Sequence, residues 1–292
     1  MRVYLTPQPG LSRAMDRVTK ALVANVPHGV KIVPTLEQSD LHVIHVIGHP
    51  EAAEAAFDAR VQLRKYAMIQ YCLRSTQQPS TVTWQPLWND AQLVWSYYNL
   101  IGACFEDGLA YNGEFPFYHA PLGVDTEIFR RPPHVTTDAY MLGCSGYVAE
   151  SECLEECANA VQACGGRLAH LGHELVFKGK VVRFFNLRDW ELARVWASCR
   201  YVAGLRRIEG FELPVYEGLA CGARPLVFDR PHYRSWLGEH ASYVPEVEPA
   251  LLTPLIANII SEPRPVSANE RQWVKERFDW HTIAKGFWER CL

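Results

Sequence analysis

The sequence lacks the features that mark several functional classes. Its formal net charge is only -3 over 292 residues, so no overall field favours avid, non-specific binding to nucleic acid, although this leaves room for a local basic patch. It has no C-x-x-C pair. The nine cysteines stand at scattered positions (72, 104, 144, 153, 157, 164, 199, 221 and 291), which fits neither a disulfide framework nor a zinc pattern. Cys153 and Cys157 fall on one face of an expected helix and read as core or surface thiols, so no metal site is expected. No apolar run reaches the roughly 18 to 20 residues that span a bilayer, and the N-terminal segment lacks the basic, apolar and cleavage regions of a signal peptide. The expectation is a soluble protein of a reducing cytoplasm. Solenoid repeats and low-complexity segments are also missing.

With 48% hydrophobic and 21% charged residues, the chain has an ordinary globular balance and the length for two domains. MRVYLTP reads as a strand, LSRAMDRVTKALVANV as an amphipathic helix, GVKIVP and DLHVIHVIG as strands, and EAAEAAFDARVQLRKY as a helix. AMIQYCL is expected as a strand, NDAQLVWSYYNLIGACFEDG as helix and loop, and FPFYHAPLG as a strand. Strands that alternate with helices and are apolar on both faces predict a parallel sheet covered on both sides. The proline-rich APLGVDTEIFRRPPH then reads as a hinge, after which the alternation starts again from YMLGCSG. NERQWVKERFDWHTIAKGFWERCL is expected to be a long helical tail.

The stretch RIEGFELPVYEGLACGARPLVFDR carries the chemistry. A strand ending at RYVAGL runs into a glycine loop, and a helix begins near Pro214, a residue suited to the first turn. Such a helix N-terminus at the carboxyl edge of a parallel sheet is a natural seat for phosphate. Glu209 would lie on the loop and Glu217 in the early helix, where it can accept hydrogen bonds from a diol. Each glutamate also has a plainer explanation, as a solvated loop charge or as a partner for the helix dipole.

Taken together, E-G-F-x-L-P, the glutamate three residues after the proline and the following A-C-G-A-R-P-L-V resemble the E-x7-E segment of the retaining glycosyltransferases of family 4, which have the GT-B fold. APLGVDTEIF is similar to that family's hinge, RDWELARVWASCRYV to the helix and strand leading into the segment, and SDLHVIHVIG to an N-terminal strand with histidines toward the acceptor. The resemblance implies an α/β chain of two Rossmann-like domains facing each other across a cleft. It implies an acceptor domain over 1–122, a donor domain over 123–270, and a helix at 271–292 packing back on the first domain. It further implies that Glu209 approaches the donor sugar and that Glu217 holds the ribose of the nucleotide. Gly210, Phe211, Glu212 and Leu213 would lie along the sugar and diphosphate. No cofactor or metal is implied beyond a UDP- or GDP-linked sugar, and no side-chain nucleophile is required.

Two departures from the family pattern stand out. The Arg and Lys usual after the first strand of the donor domain are replaced by GYVAESECLEE, so Lys178, Lys180, Arg206 and Arg207, on loops predicted at the carboxyl edge of the second sheet, are the substitutes considered. Glu212 also replaces a glycine. In the first half, His45 is a candidate catalytic residue and His49 an acceptor-side one, with a core role open for both. His42 must point away from His45 by strand alternation. Trp84 and Trp88, with Trp95, Tyr97 and Tyr98, are candidates for a stacking surface, or for core. The function expected is transfer of a hexose, with retention, to a glycan, a protein or a hydroxymethylated DNA base in a phage-type setting. The alternatives are a non-catalytic nucleotide-sugar or glycan-binding protein, or an epimerase of the same fold.

Overall fold

The computed structural model describes residues 1–6, 13–46, 58–60, 62, 64–71, 84–102, 115–135, 138–146, 151–172, 179–207 and 211–292. The chain divides into two compact units, one of Met1–Gly123 with Trp280–Leu292 and the other of Val124–Asp279.

The first unit is built on a six-stranded sheet of β1 (Arg2–Leu5), β2 (Lys31–Ile32), β3 (Leu41–Val46), β4 (Tyr66–Gln70), β5 (Leu93–Ser96) and β6 (Phe117–His119), in the order β2-β1-β3-β4-β5-β6. Every described pairing is parallel. β3, β4 and β5 are buried along their whole length, as expected of central strands covered on both faces. Helix α1 (Arg13–Ala24) turns Met15, Val18, Ala21 and Leu22 inward at helical spacing.

The region expected as helix and loop after Asn89 contains a strand instead. The helix, α2 (Gln85–Asp90), comes earlier and has Pro86 in its first turn, whereas Leu93–Ser96 is β5. A four-residue apolar run is as compatible with a buried strand as with a buried helix turn, and here pairing of Val94 and Trp95 with Met68 and Ile69 decides it.

The second unit has a parallel sheet of β7 (Tyr140–Ser145), β8 (Leu168–Leu171), β9 (Val181–Phe184), β10 (Cys199–Gly204), β11 (Arg224–Phe228) and β12 (Ser242–Val244), ordered β12-β11-β10-β7-β8-β9. One face, carrying Leu142, Cys144, Tyr201, Ala203, Leu226 and Phe228, packs on α3 (Leu154–Ala163); α7 (Pro249–Ser261) shares that core. The opposite face meets α4 (Asp189–Ala197) and α5 (Leu213–Cys221); α6 (Pro231–Leu237) follows β11.

The C-terminal tail is two helices, not one. α8 (Ala268–Phe278) belongs to the second unit and α9 (Trp280–Cys291) to the first. Asp279 between them is extended (φ -63, ψ 129), and Val124 donates its amide to Phe278 O at 2.7 Å. α9 docks on the first unit through Trp288 Nε1 to Leu22 O (3.0 Å) and Gln92 Nε2 to Cys291 O (2.9 Å), with Phe287 against Trp95. Among the described residues no helix is long and apolar enough to cross a membrane.

One buried cation holds the second unit's outer elements together. Arg224, at the head of β11, donates to Glu270 Oε1 (2.6 Å), His240 O (3.0 Å), Pro265 O (3.0 Å) and Arg264 O (3.3 Å). Glu270 is fixed in turn by a capping box with Ser267 at the start of α8. These bonds hold the Glu270 carboxyl down to about 2 against the pull of its own burial. Arg224→Met takes the guanidinium from Glu270, which keeps the Ser267 amide at 2.8 Å and His240 Nδ1 at 3.4 Å, and leaves three carbonyls without this donor. Glu270 keeps some solvent access, so urea denaturation should show a loss of about 3 kcal/mol, near the lower end for a broken buried pair. Lys285→Met, in an exposed pair with Glu289, should change stability by less than about 1 kcal/mol.

Candidate functional site

In the second sheet the strand order reverses between β7 and β10, which are neighbours. Connections leaving their carboxyl ends go to opposite sides and leave a crevice there, the usual ligand site of an open α/β sheet. β7 runs out at Ser145–Gly146 and β10 at Gly204, and α5 starts beside them. Close approach of α5 to β10 requires glycine on both: a Cβ on Gly204 would stand 2.8 Å from Glu212 Cβ and Val215 Cγ1, and one on Gly218 2.8 Å from Val202 Cγ2. Glu212 is the N-cap, Pro214 lies in the first turn, and Gly222 ends the helix at φ +98.

Arg206 follows β10 into this crevice, where two carboxylates meet it. Its Nη2 lies 2.5 Å from Glu152 Oε1, and its Nε 3.4 Å from Glu212 Oε1. Both glutamates are buried. Arg207 reaches Val247 O (2.8 Å) and Glu246 (3.7 Å), and Arg230 binds Glu246 at 2.7 Å. The two arginines expected to grip a diphosphate are therefore both engaged by carboxylates. Glu152 and Glu246 did not emerge from the sequence reading; the only trace was the acidic ESE where a basic pair was expected.

Phe211 stacks flat on Tyr216 (4.1 Å, 3°) and Tyr216 touches Phe278, so this loop residue is an anchor for the start of α5. Leu213 is buried beside it. Glu217 is also buried, in the second turn, with Trp196 Nε1 of α4 donating to its Oε2 at 3.4 Å. His170, near the end of β8, lies next to the crevice; its Nε2 is 3.2 Å from Gly146 O, and burial lowers its pKa. Glu209, Gly210 and Lys178 lie outside the described residues, as does His49.

Lys180 is not at the predicted edge. It immediately precedes β9, its carbonyl accepts from Leu168 N at the start of β8, and β8 and β9 are parallel, so it sits at the amino edge of the sheet. The strand that follows it begins at Val181 and carries the chain away from that edge toward the carboxyl end.

In the first unit, His45 is fully buried, with Nδ1 2.8 Å from Tyr71 Oη and Nε2 3.2 Å from Thr19 Oγ1. Burial depresses its pKa to about 4. The ring is placed as a satisfied core histidine. His42, on the opposite face, bonds Thr6 Oγ1 at 2.7 Å and is likewise depressed to about 4 by burial. The aromatic group is core rather than an open stacking face. Trp84 and Trp88 lie in the cluster around Tyr66, Met68 and Leu87, Trp88 Nε1 donates to Gln70 Oε1 (3.2 Å), and Trp95 is wholly buried. Among the described residues no group of three or more His, Cys, Asp or Glu is placed to hold a metal ion.

No family model and no curated protein sequence matches the chain. Solved structures do. The Anabaena protein HepE, crystallised with UDP and glucose, superposes with a TM-score of 0.73 at 15% identity, covering 99% of this chain and 98% of the other. A sucrose-phosphate synthase from Thermosynechococcus elongatus gives 0.75 at 13% identity, covering 99% and 97%. The lipopolysaccharide outer core galactosyltransferase WaaB gives 0.65 at 10% identity, covering 99% of each chain. The likeness runs the full length of both partners, and the architecture is that of the GT-B glycosyltransferases.

Proposed function

We propose that the protein is a retaining glycosyltransferase of the family 4 type, moving a hexose from a UDP- or GDP-sugar to an acceptor hydroxyl. The observation that carries this reading is the start of α5. A helix N-terminus, capped by Glu212 with Pro214 in its first turn, stands at the carboxyl edge of β10 beside the strand-order reversal, with Glu217 within it and Glu209 three residues before the cap in sequence. A full-length likeness to HepE, which was crystallised with UDP and glucose, supports a UDP-linked donor.

The chemistry asked of these residues is mainly electrostatic. A nucleoside diphosphate is already a good leaving group, and first-turn amides of α5 with Arg206 offset the charge that grows on it. Glu209 stabilises positive charge at the anomeric carbon, and Glu217, steadied by Trp196, takes the ribose. The acceptor oxygen bonds to the anomeric carbon on the face from which the phosphate leaves, and the departing phosphate oxygen takes the acceptor proton. Orienting the acceptor is the remaining task. The acceptor classes proposed are a glycan, a protein or a hydroxymethylated DNA base.

A second reading, a nucleotide-sugar-binding protein without turnover, draws on the pairing of Arg206 with Glu152 and Glu212, which sets two negative charges against one positive charge in the donor crevice.

Thermal unfolding with UDP-, GDP-, ADP- and TDP-sugars tests the donor assignment. A donor at about 100 times its Kd adds about 2.7 kcal/mol and should raise Tm by several degrees with a UDP- or GDP-sugar. No shift with any of the four removes both readings.

A further inference from the structure

A second charged site lies in the Val124–Asp279 unit, away from the donor crevice. A groove of about 440 Å³ is walled by the segment Thr126–Val135 and by α8, with Ala220 at the end of α5 on its floor. Among the described residues four cations line it, Arg130, Arg131, Arg271 and Lys275, against a single carboxylate, Glu127. Glu127 is already matched by Lys275 at 3.1 Å. Arg130 and Arg131 are exposed, and Arg130 adds its field to that of Lys275 at Glu127.

Arg131 and Arg271 approach one another at the groove. A Cβ built on Gly222 would lie 3.4 Å from Arg131 Cδ and 3.9 Å from Arg271 Cδ, so both stems cross the C-terminal end of α5. Arg271 is braced there by its bond to Val266 O at 3.1 Å. The carbonyl end of α5 accounts for only about half an elementary charge of this demand. Three positive charges in excess of Glu127 are held around one concave space. Since α5 begins at the donor crevice and ends here, the two places are separated by about 13 Å, the length of a nine-residue helix.

We propose that this groove binds a small phosphate-bearing anion, a phosphomonoester or free phosphate, as a site distinct from that of the donor. Its volume falls in the range of small-molecule pockets. A polynucleotide is disfavoured because the chain as a whole is negative, at -3. Guanidinium groups suit the ligand, since each presents a planar fork to phosphate oxygens. The site also joins two segments that flank the chain's passages between units, Thr126–Val135 just after Gly123 and α8 just before Trp280, so an anion held there links both.

Isothermal titration of the whole protein with inorganic phosphate and with glucose 6-phosphate, at constant ionic strength, tests the proposal. The expected result is saturable binding of at least one of the two, weakened about tenfold or more in Arg130→Gln/Arg131→Gln. Arg206→Gln, a change in the donor crevice, should leave that binding intact, so the outcome does not depend on whether the donor reading holds. Tighter binding of glucose 6-phosphate places the source in a sugar phosphate; equal binding places it in free phosphate. Three results overturn the proposal: no saturable heat with either probe, binding unaffected by the double substitution, or loss of binding in Arg206→Gln. Tighter binding of a short DNA duplex, lost in the double variant, would likewise replace the small-molecule assignment.

Discussion

Glu209→Ala should lower donor turnover by about 100-fold or more while the nucleotide still shifts the melting temperature. In a retaining transfer the anomeric carbon gains positive charge as the phosphate departs, and loss of one preorganised charge partner typically costs about two to three orders of magnitude. The substitution should not disturb the fold. The described residues on either side are anchored without it: the Arg207 amide donates to Ser151 O at 2.8 Å, and Phe211 stacks on Tyr216. The measurement is release of free sugar and nucleotide without acceptor, because an active transferase leaks some donor to water. Identical background release from wild type and variant, with nucleotide binding retained in both, would decide for the non-catalytic reading.

The second large effect is on stability in mild acid. His42 and His45 are held neutral by burial, each with its pKa lowered from 6.5 to about 4. The unfolded chain therefore takes up protons first as pH falls. Their contribution is complete above about pH 6.5, declines through the window down to about pH 4, and is absent below it. At about pH 5 each histidine has lost on the order of 2 kcal/mol, so the pair removes about 4 kcal/mol relative to neutral pH. His119 and His170, also lowered by burial, add to the loss with the same sign. The Glu270 carboxyl acts later, as pH falls from its ordinary 4.5 toward about 2. Urea denaturation at about pH 7 and pH 5 measures the difference, and His42→Gln/His45→Gln should abolish most of it. An unchanged pH dependence in the double variant would show that the rings are already accessible to protons in the folded state.

Local patterns carried much of the architecture. Alternating strands and helices, a restart after the proline-rich hinge and a proline-started helix after RYVAGL all lie within short windows, and the two parallel sheets follow from them. What escaped depends on distant partners. Whether His45 faces a crevice or the core is decided by Thr19 and Tyr71, each 26 residues away in sequence. Trp88 has an amphipathic indole suited to stacking, but Gln70 on β4 takes its N–H inside the core. The carboxylates on Arg206 come from two different loops, and no single stretch reveals that they converge. The break at Asp279 interrupts a tail whose composition is helical throughout; it is imposed where the chain leaves one unit for the other.

That passage has a consequence for how the protein is made. Because Trp280–Leu292 completes the unit begun by Met1–Gly123, the Val124–Asp279 unit is in effect inserted into the first. On the ribosome the inserted unit is the earlier of the two to have all its residues. Until α9 has been synthesised, the surface of the first unit that receives Phe287 and Trp288 lacks its cover. Vectorial synthesis therefore completes the inserted unit first and the unit that encloses it second.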